Sequence, residues 1–191
     1  MRKGIDKTSG IWDLKMASKH HSYDPVLAGG IGYLYKPKRV ADLGCGTGRY
    51  CKIFESYDWI VDGYEGTQDI ISLGIYDNIH LFDLSQSILG VDTEYDLVVC
   101  LEVGEHIPKK YEDIFIDNVS KFASKDLVLS WAIPGQGGKG HFNERTNEYV
   151  INKFKEKGLY LNKRFTKILR WYSTLRWFKN TLLVMERKDN G

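Results

Sequence analysis

Residues Val40 to Tyr50 read VADLGCGTGRY, a β-type run that reaches an aspartate and passes straight into three glycines, Gly44, Gly46 and Gly48. A strand that enters glycines and then a helix makes a turn where backbone approaches a ligand closely. Glycine has no side chain to intervene and adopts φ > 0 without strain. The dinucleotide fingerprint spaces its glycines GxGxxG and seats a pyrophosphate on the helix N-terminus. Here the spacing is GxGxG, and Asp42, two residues ahead of the first glycine, would repel a diphosphate. The stretch asks for a ligand that carries positive charge.

From Arg39 onward, short apolar runs alternate with amphipathic segments. RVADL is followed by GRYCKIFESY, WIVDGYE by a short helix near Gln68 to Leu73, and then comes IHLFDL. YDLVVCL is followed by PKKYEDIFIDNVSKFA, and DLVLSWAI by NERTNEYVINKFKEKG. The runs are rich in Val, Ile and Leu, as strands covered on both faces should be. Helices between them predict right-handed crossovers and a parallel sheet. In PKKYEDIFIDNVSKFA, Ile114, Phe115, Val119 and Phe122 recur at helical spacing behind Pro108, the pattern of a helix laid on a sheet.

The two ends read differently. YLNKRFTKILRWYSTLRWFKNTLLVMERK offers a strand-like segment, a turn near Ser173 and Thr174, and the run TLLVMER. This predicts a terminal hairpin, with one strand antiparallel to the rest. Residues 1–36 precede the first strand and hold Trp12, His20, His21, Tyr23 and Tyr33. They are expected to cap the ligand edge of a sheet core spanning 37–191, the whole chain forming a single domain.

Two further acids stand where the next strands end. Glu65 closes VDGYE twenty-one residues after Gly44, a position from which a carboxylate accepts both ribose hydroxyls; Asp62 competes for that role from inside the strand. Asp83 closes IHLFD, where it or its neighbouring backbone meets an adenine edge. A nucleoside with an ammonium, a sulfonium and no phosphate suits this set, and S-adenosylmethionine is that molecule.

With these motifs the sequence resembles the class I S-adenosylmethionine-dependent methyltransferases, from Val40 to about Pro134 and more weakly to Lys188. DLGCGTG resembles the family's first motif, Glu65 its ribose acid, Asp83 its adenine-contacting acid and YDLVVCLEVGEHIP its fourth motif. The resemblance implies an α/β, Rossmann-like, seven-stranded sheet of order 3-2-1-4-5-7-6, strand 7 antiparallel, with helices on both faces. It implies a donor cleft formed by Asp42, Gly44, Cys45, Gly46, Gly48, Glu65, Gly66, Asp83, Leu84, Leu101 and Glu102.

Methyl transfer is an in-line displacement at an activated carbon, so alignment supplies much of the acceleration. A hydroxyl acceptor must also lose its proton to a base or a metal-bound group. In LEVGEHIP, Glu102, Glu105 and His106 have i, i+3, i+4 spacing, which shares one face if the chain turns helically after the strand. Such an oxygen-rich set favours Mg²⁺ or Mn²⁺ over Zn²⁺. The segment looks like the ExxEH of the ubiquinone-pathway O-methyltransferases and of the enzymes that methylate small-RNA 3′ ends. That likeness implies a divalent metal at Glu102, Glu105 and His106, with His141 as a further ligand. Without metal, His106 or His141 is the expected base, with Glu105 beside it. Pro134 to His141 holds four glycines in eight residues and reads as a substrate loop carrying His141, Asn143 and Arg145. His21 and Tyr23 are expected to close over the methyl donor from the N-terminal side.

Composition narrows the remaining choices. A chain of 191 residues with 42% hydrophobic content buries one good core. A net charge of +2 does not by itself demand a nucleic-acid partner. The basic and aromatic tail, Lys163 to Lys179, reads either as an RNA stacking platform or, preferred here, as a hairpin with aromatics inside and bases outside. Cys45, Cys51 and Cys100 form no CxxC pair, and no apolar run approaches a membrane span, so a cytoplasmic location is expected. The leading expectation is O-methylation of a small molecule or sugar hydroxyl. RNA 2′-O-methylation and a catalytically silent donor-binding module are the alternatives.

Overall fold

A computed structural model describes residues 5–15, 17, 21–88 and 94–188. The strands are β1 (Arg39–Leu43), β2 (Ile60–Glu65), β3 (Ile79–Leu81), β4 (Tyr95–Cys100), β5 (Ala123–Ser130), β6 (Leu159–Leu161) and β7 (Leu182–Arg187). They form one seven-stranded sheet of order β3-β2-β1-β4-β5-β7-β6. The β1–β2, β1–β4, β2–β3 and β4–β5 pairs are parallel, and β7 runs antiparallel to β5 and β6. The helices are α1 (Pro25–Leu34), α2 (Arg49–Glu55), α3 (Gln68–Ile71), α4 (Glu112–Phe122), α5 (Asn147–Glu156), α6 (Lys163–Tyr172) and α7 (Phe178–Thr181).

Period-2 alternation along strands apolar on both faces at their centres gives each face its own core. Ala41, Val98, Cys100, Leu127 and Leu129 meet Phe115, Val119 and Phe122 of α4 and Phe154 of α5 on one side. Val40, Leu97, Val99 and Val128 meet Leu27 and Ile31 of α1, Phe54 of α2 and Leu169 of α6 on the other. All of these side chains are buried.

Two local readings are corrected. The tail is not a hairpin with a tight turn, because α6 and α7 stand between β6 and β7. Asn162 caps α6 by accepting from Phe165 N at 2.9 Å, and Phe165, Leu169 and Tyr172 recur at helical spacing. Within the N-terminal segment, Pro25–Leu34 is a helix packed against α6, not part of a cap on the ligand edge. Asp24 starts it: Oδ1 accepts from Val26 N and Leu27 N, while Oδ2 accepts from Thr174 N and Leu175 N at 2.7 and 3.0 Å. Burial alone would raise the Asp24 carboxyl, but these backbone donors hold it below its ordinary value. Tyr33 is 74% exposed and stands apart from the aromatic cluster; His20 lies outside the described residues.

Candidate functional site

At the C-terminal ends of the parallel strands lies a cavity of about 410 Å³, within the range of small-molecule sites. The end of β1 supplies Asp42 and the loop after it Gly44, Cys45 and Gly46; the ends of β2 and β3 supply Glu65, Gly66, Asp83 and Leu84; the end of β4 supplies Leu101 and Glu102. Ser9–Trp12 and His21–Tyr23 cover it from the N-terminal side, and Gln136–Lys139, His141, Trp177 and Phe178 complete the wall. Cover from the N-terminal segment, with Trp12, His21 and Tyr23, was expected, whereas Ser9, Gly10, Ile11, Arg49 and the Trp177–Phe178 pair were not among the sequence-derived residues. The pair was hidden by the hairpin reading of the tail.

The glycine turn is a cradle that side chains would fill. Gly44 and Gly46 have φ of 75° and 58°. A Cβ on Gly44 would lie 2.5 Å from Val103 Cγ2, and one on Gly46 would lie 2.5 Å from His21 Nδ1. Glu65 stiffens the turn, its Oε2 accepting from Gly46 N and its Oε1 from Thr67 N, both at 3.0 Å. Each oxygen keeps a lone pair for a further donor. Asp62 is taken up by Asn78, His80 and Tyr95 outside the cavity, which leaves Glu65 as the acid on the cavity wall at the end of β2.

Asp42 is the most unusual group in the cradle. It is 3% exposed, and its hydrogen-bond partner is the Cys51 thiol, 3.4 Å from Oδ2. Burial pushes its carboxyl up to about 7, against the thiol's lowering effect and with a further push from Glu65. A cation placed beside it would reverse that shift.

The turn after β4 departs from the expected helical face. Glu102 sits at φ 56°, outside the single 3-10 turn Gly104–His106. Its Oε1 accepts from Ser130 Oγ at 2.8 Å and its Oε2 from Gln136 Nε2 at 3.5 Å. The group brought together is Glu105, His106 and His141, whose ligand atoms lie within 4.8 Å of one another; Glu102 is not in it. Glu105 is fully buried, and among the described residues neither carboxyl oxygen has a partner at hydrogen-bond geometry. Burial, then the neighbouring Glu102 carboxylate, push it well above the usual range.

Both imidazoles are fixed from behind. His106 Nδ1 lies 3.0 Å from Gly140 O, and His141 Nδ1 lies 3.1 Å from Glu144 Oε1. A carbonyl and a carboxylate only accept, so Nδ1 carries the proton and Nε2 the lone pair in each neutral ring. Burial lowers His106 to about 4, with His141 and His21 adding to the effect against the Gly140 bond. His106 is therefore neutral at physiological pH. The glycine loop is laced to the turn, since Phe142 N and Asn143 N donate to Glu105 O at 2.8 and 3.1 Å.

Four expected residues do not line the cavity: Gly48, Glu105, Asn143 and Arg145. Gly48 is the N-cap of α2 and faces Tyr76. Asn143 Nδ2 and Arg145 Nε donate to Glu112 Oε2 at 2.8 and 2.6 Å, and Tyr149 OH donates to Oε1. A buried carboxylate needs such partners, so these residues are committed to Glu112 and their placement as substrate ligands is corrected. His21 and Tyr23 do reach the cavity; the Trp12 ring stands 5.5 Å from His21 and 4.7 Å from His106.

No family model matches the chain. The chain is 24% identical over 151 residues to a ubiquinone biosynthesis O-methyltransferase from Glaesserella parasuis, covering 71% of this chain and 63% of that relative. It thus spans less than two thirds of the relative's length. Among solved structures it superposes on an amino pentose methyltransferase of calicheamicin biosynthesis from Micromonospora echinaspora, with TM-score 0.66 and 16% identity over 93% of this chain and 98% of that one. A TehB-like methyltransferase from Corynebacterium glutamicum gives 0.64 and 16%, covering 92% and 93%. Magnesium protoporphyrin IX methyltransferase from Synechocystis, with bound S-adenosylmethionine, gives 0.60 and 22%, covering 86% and 77%. Strand order, the antiparallel seventh strand and these superpositions agree: the chain has the fold of the class I S-adenosylmethionine-dependent methyltransferases.

Proposed function

We infer that the protein is an S-adenosylmethionine-dependent O-methyltransferase acting on the hydroxyl of a small molecule or sugar. The observation that carries this reading is Asp42, a buried carboxylate facing a cavity of nucleoside size, which among the described residues forms no ion pair. In this reading Asp42 takes the donor's positive end, Gly44 to Gly46 lie against it, Glu65 takes the ribose, and Asp83 with Leu84 meets the adenine. The named relatives bind or act on chemically varied partners, so the acceptor is argued from this chain's own residues.

S-adenosylmethionine supplies a methyl group on an electron-poor sulfur. The chain's part is to align the acceptor oxygen and remove its proton. His141 lines the cavity with Nδ1 anchored to Glu144, so its Nε2 lone pair is free to take that proton as the new C–O bond forms. Glu144 fixes the ring's tautomer. Trp12 and His21 cover the cavity and exclude water from the reacting atoms.

Glu105, His106 and His141 also fit a divalent ion; without Glu102 the set is two imidazoles and one carboxylate, which suits Mn²⁺ or Zn²⁺ rather than the Mg²⁺ an oxygen-rich set would favour. The orphaned Glu105 oxygens and two imidazoles held through Nδ1 are the arrangement metal-binding histidines adopt. Such an ion would lower the pKa of an acceptor hydroxyl. Cytoplasmic residence belongs to the same reading, supported by three free cysteines; among the described residues no helix is long and apolar enough to cross a membrane.

The test is transfer of labelled methyl from the donor to a panel of phenols and saccharides, with and without Mn²⁺. Product on hydroxyl acceptors is expected. Transfer only to amines or proteins, or donor binding with no transfer to any acceptor, would overturn it.

A further inference from the structure

The outward side of α6 is a strip of positive charge that ends in a bare indole. Lys163, Arg164, Lys167 and Trp171 are exposed, and at 3.6 residues per turn they fall within roughly 100° of one another. The opposite side, Thr166 and Leu169, is buried against the sheet. From Lys163 to Thr181 the chain holds six cations and no acid. Among the described residues Lys163, Arg164, Lys167, Arg176 and Lys179 form no ion pair. On α5, by contrast, Lys153 and the following Lys157 pair with Asp113 and Asp117 at 2.9 and 2.6 Å. Trp171 is 77% exposed, touching the ring of Tyr172 edge-on at 5.2 Å.

The chain that follows the strip reaches the cavity. Beyond α6, Thr174 and Leu175 are pinned to Asp24, Arg176 is exposed, and Trp177 and Phe178 form cavity wall. The reason to expect aromatics inside and bases outside was a hairpin; on a helix, the bases and Trp171 share one surface.

We propose that this surface of α6 binds single-stranded nucleic acid. Unpaired cations spaced along one line create a local field for a polyanionic backbone. An exposed aromatic at the end of that line stacks a base without regard to sequence. A bilayer is the poorer partner. An interfacial helix inserts its apolar face into lipid, and here that face is spent on the sheet, leaving Trp171 as the one large apolar side chain exposed on α6. The binding does not depend on methyl transfer, so either reading can fail alone.

The experiment is fluorescence anisotropy of the full chain with labelled single-stranded RNA and DNA of about 15 nucleotides. Anionic phosphatidylserine vesicles are tested in parallel by co-sedimentation. Binding is expected at low salt, with log K falling against log salt at a slope of about −3 for four phosphate contacts. The triple variant Lys163→Glu, Arg164→Glu, Lys167→Glu should lose at least about tenfold in affinity and flatten the salt slope. Trp171→Ala should lose roughly tenfold with the slope kept. Unchanged melting temperature and S-adenosylhomocysteine affinity show that the variants remain folded. No oligonucleotide binding at low salt, equal binding by the triple variant, or binding to vesicles alone overturns the proposal.

Discussion

The Cys51 thiol lies 3.4 Å from Asp42 Oδ2, beneath the glycine turn, and it is the hydrogen-bond donor offered to a carboxylate that is 3% exposed. A thiol is a weak donor. The free protein therefore holds Asp42 under-compensated, with its pKa pushed up to about 7 by burial.

A pH dependence of donor binding follows. A cationic ligand end favours the ionised carboxylate, so binding below pH 7 must expel a proton. S-adenosylhomocysteine, which keeps the ammonium, should bind about tenfold more tightly at pH 8 than at pH 6, measured by calorimetry. A flat profile would remove Asp42 from the donor site.

The same group acts on stability with the opposite sense. An acid whose folded pKa lies above its unfolded value favours the fold at low pH and loses that contribution as pH rises toward about 7. Asp42→Asn should thus raise the melting temperature of the ligand-free protein at pH 8, by up to ~4 kcal/mol in stability, while abolishing the donor-induced shift.

His106 is held neutral with its pKa lowered to about 4. The unfolded chain binds a proton near pH 6.5 that the native state refuses, so stability is full above pH 6.5 and falls as pH drops toward 4. The loss attributable to this residue is about 3 kcal/mol. In urea melts, His106→Gln should show a shallower decline over that interval than the parent chain.

Arg145 and Asn143 serve the fold through Glu112. Arg145→Leu leaves the buried carboxylate short of a charged partner 2.6 Å away and should destabilise by about 3 kcal/mol. In the folded protein at low temperature, KM for a hydroxyl acceptor should not move; a raised KM without a loss of stability would return Arg145 to the substrate site.

Metal binding has its own readout. Mn²⁺ at about 100 times its dissociation constant should stabilise the chain by about 2.7 kcal/mol, and Glu105→Gln should erase that increment. No Mn²⁺-dependent shift in the parent chain would leave His141 as base without metal.

The sheet was legible because its evidence is local: four apolar runs, each ending on a chemically marked residue, with amphipathic stretches between them. Asp42, Glu65 and Asp83 could be placed at one edge because parallel strands bring their ends together. The β4 turn was harder. Spacing alone cannot reveal that Glu102 adopts φ 56° and turns toward Ser130, since that depends on a neighbouring strand. Asn143 and Arg145 looked like loop ligands because Glu112, their partner, is more than thirty residues away. In the tail, alternating aromatics imitated a strand, although Asn162 was a readable helix cap. The Asp24-Pro25 pair, a capping acid before a proline at the first helical position, was an equally readable signal for α1.

The Asp24 carboxylate joins the start of α1 to the backbone at Thr174 and Leu175, about 150 residues later. His21 and Tyr23 on one side of that clasp, and Trp177 and Phe178 on the other, are walls of one chamber. During synthesis, then, the chamber stays open while six strands and most helices are already made. Its closure waits for the segment from Thr174 to Phe178 to leave the ribosome.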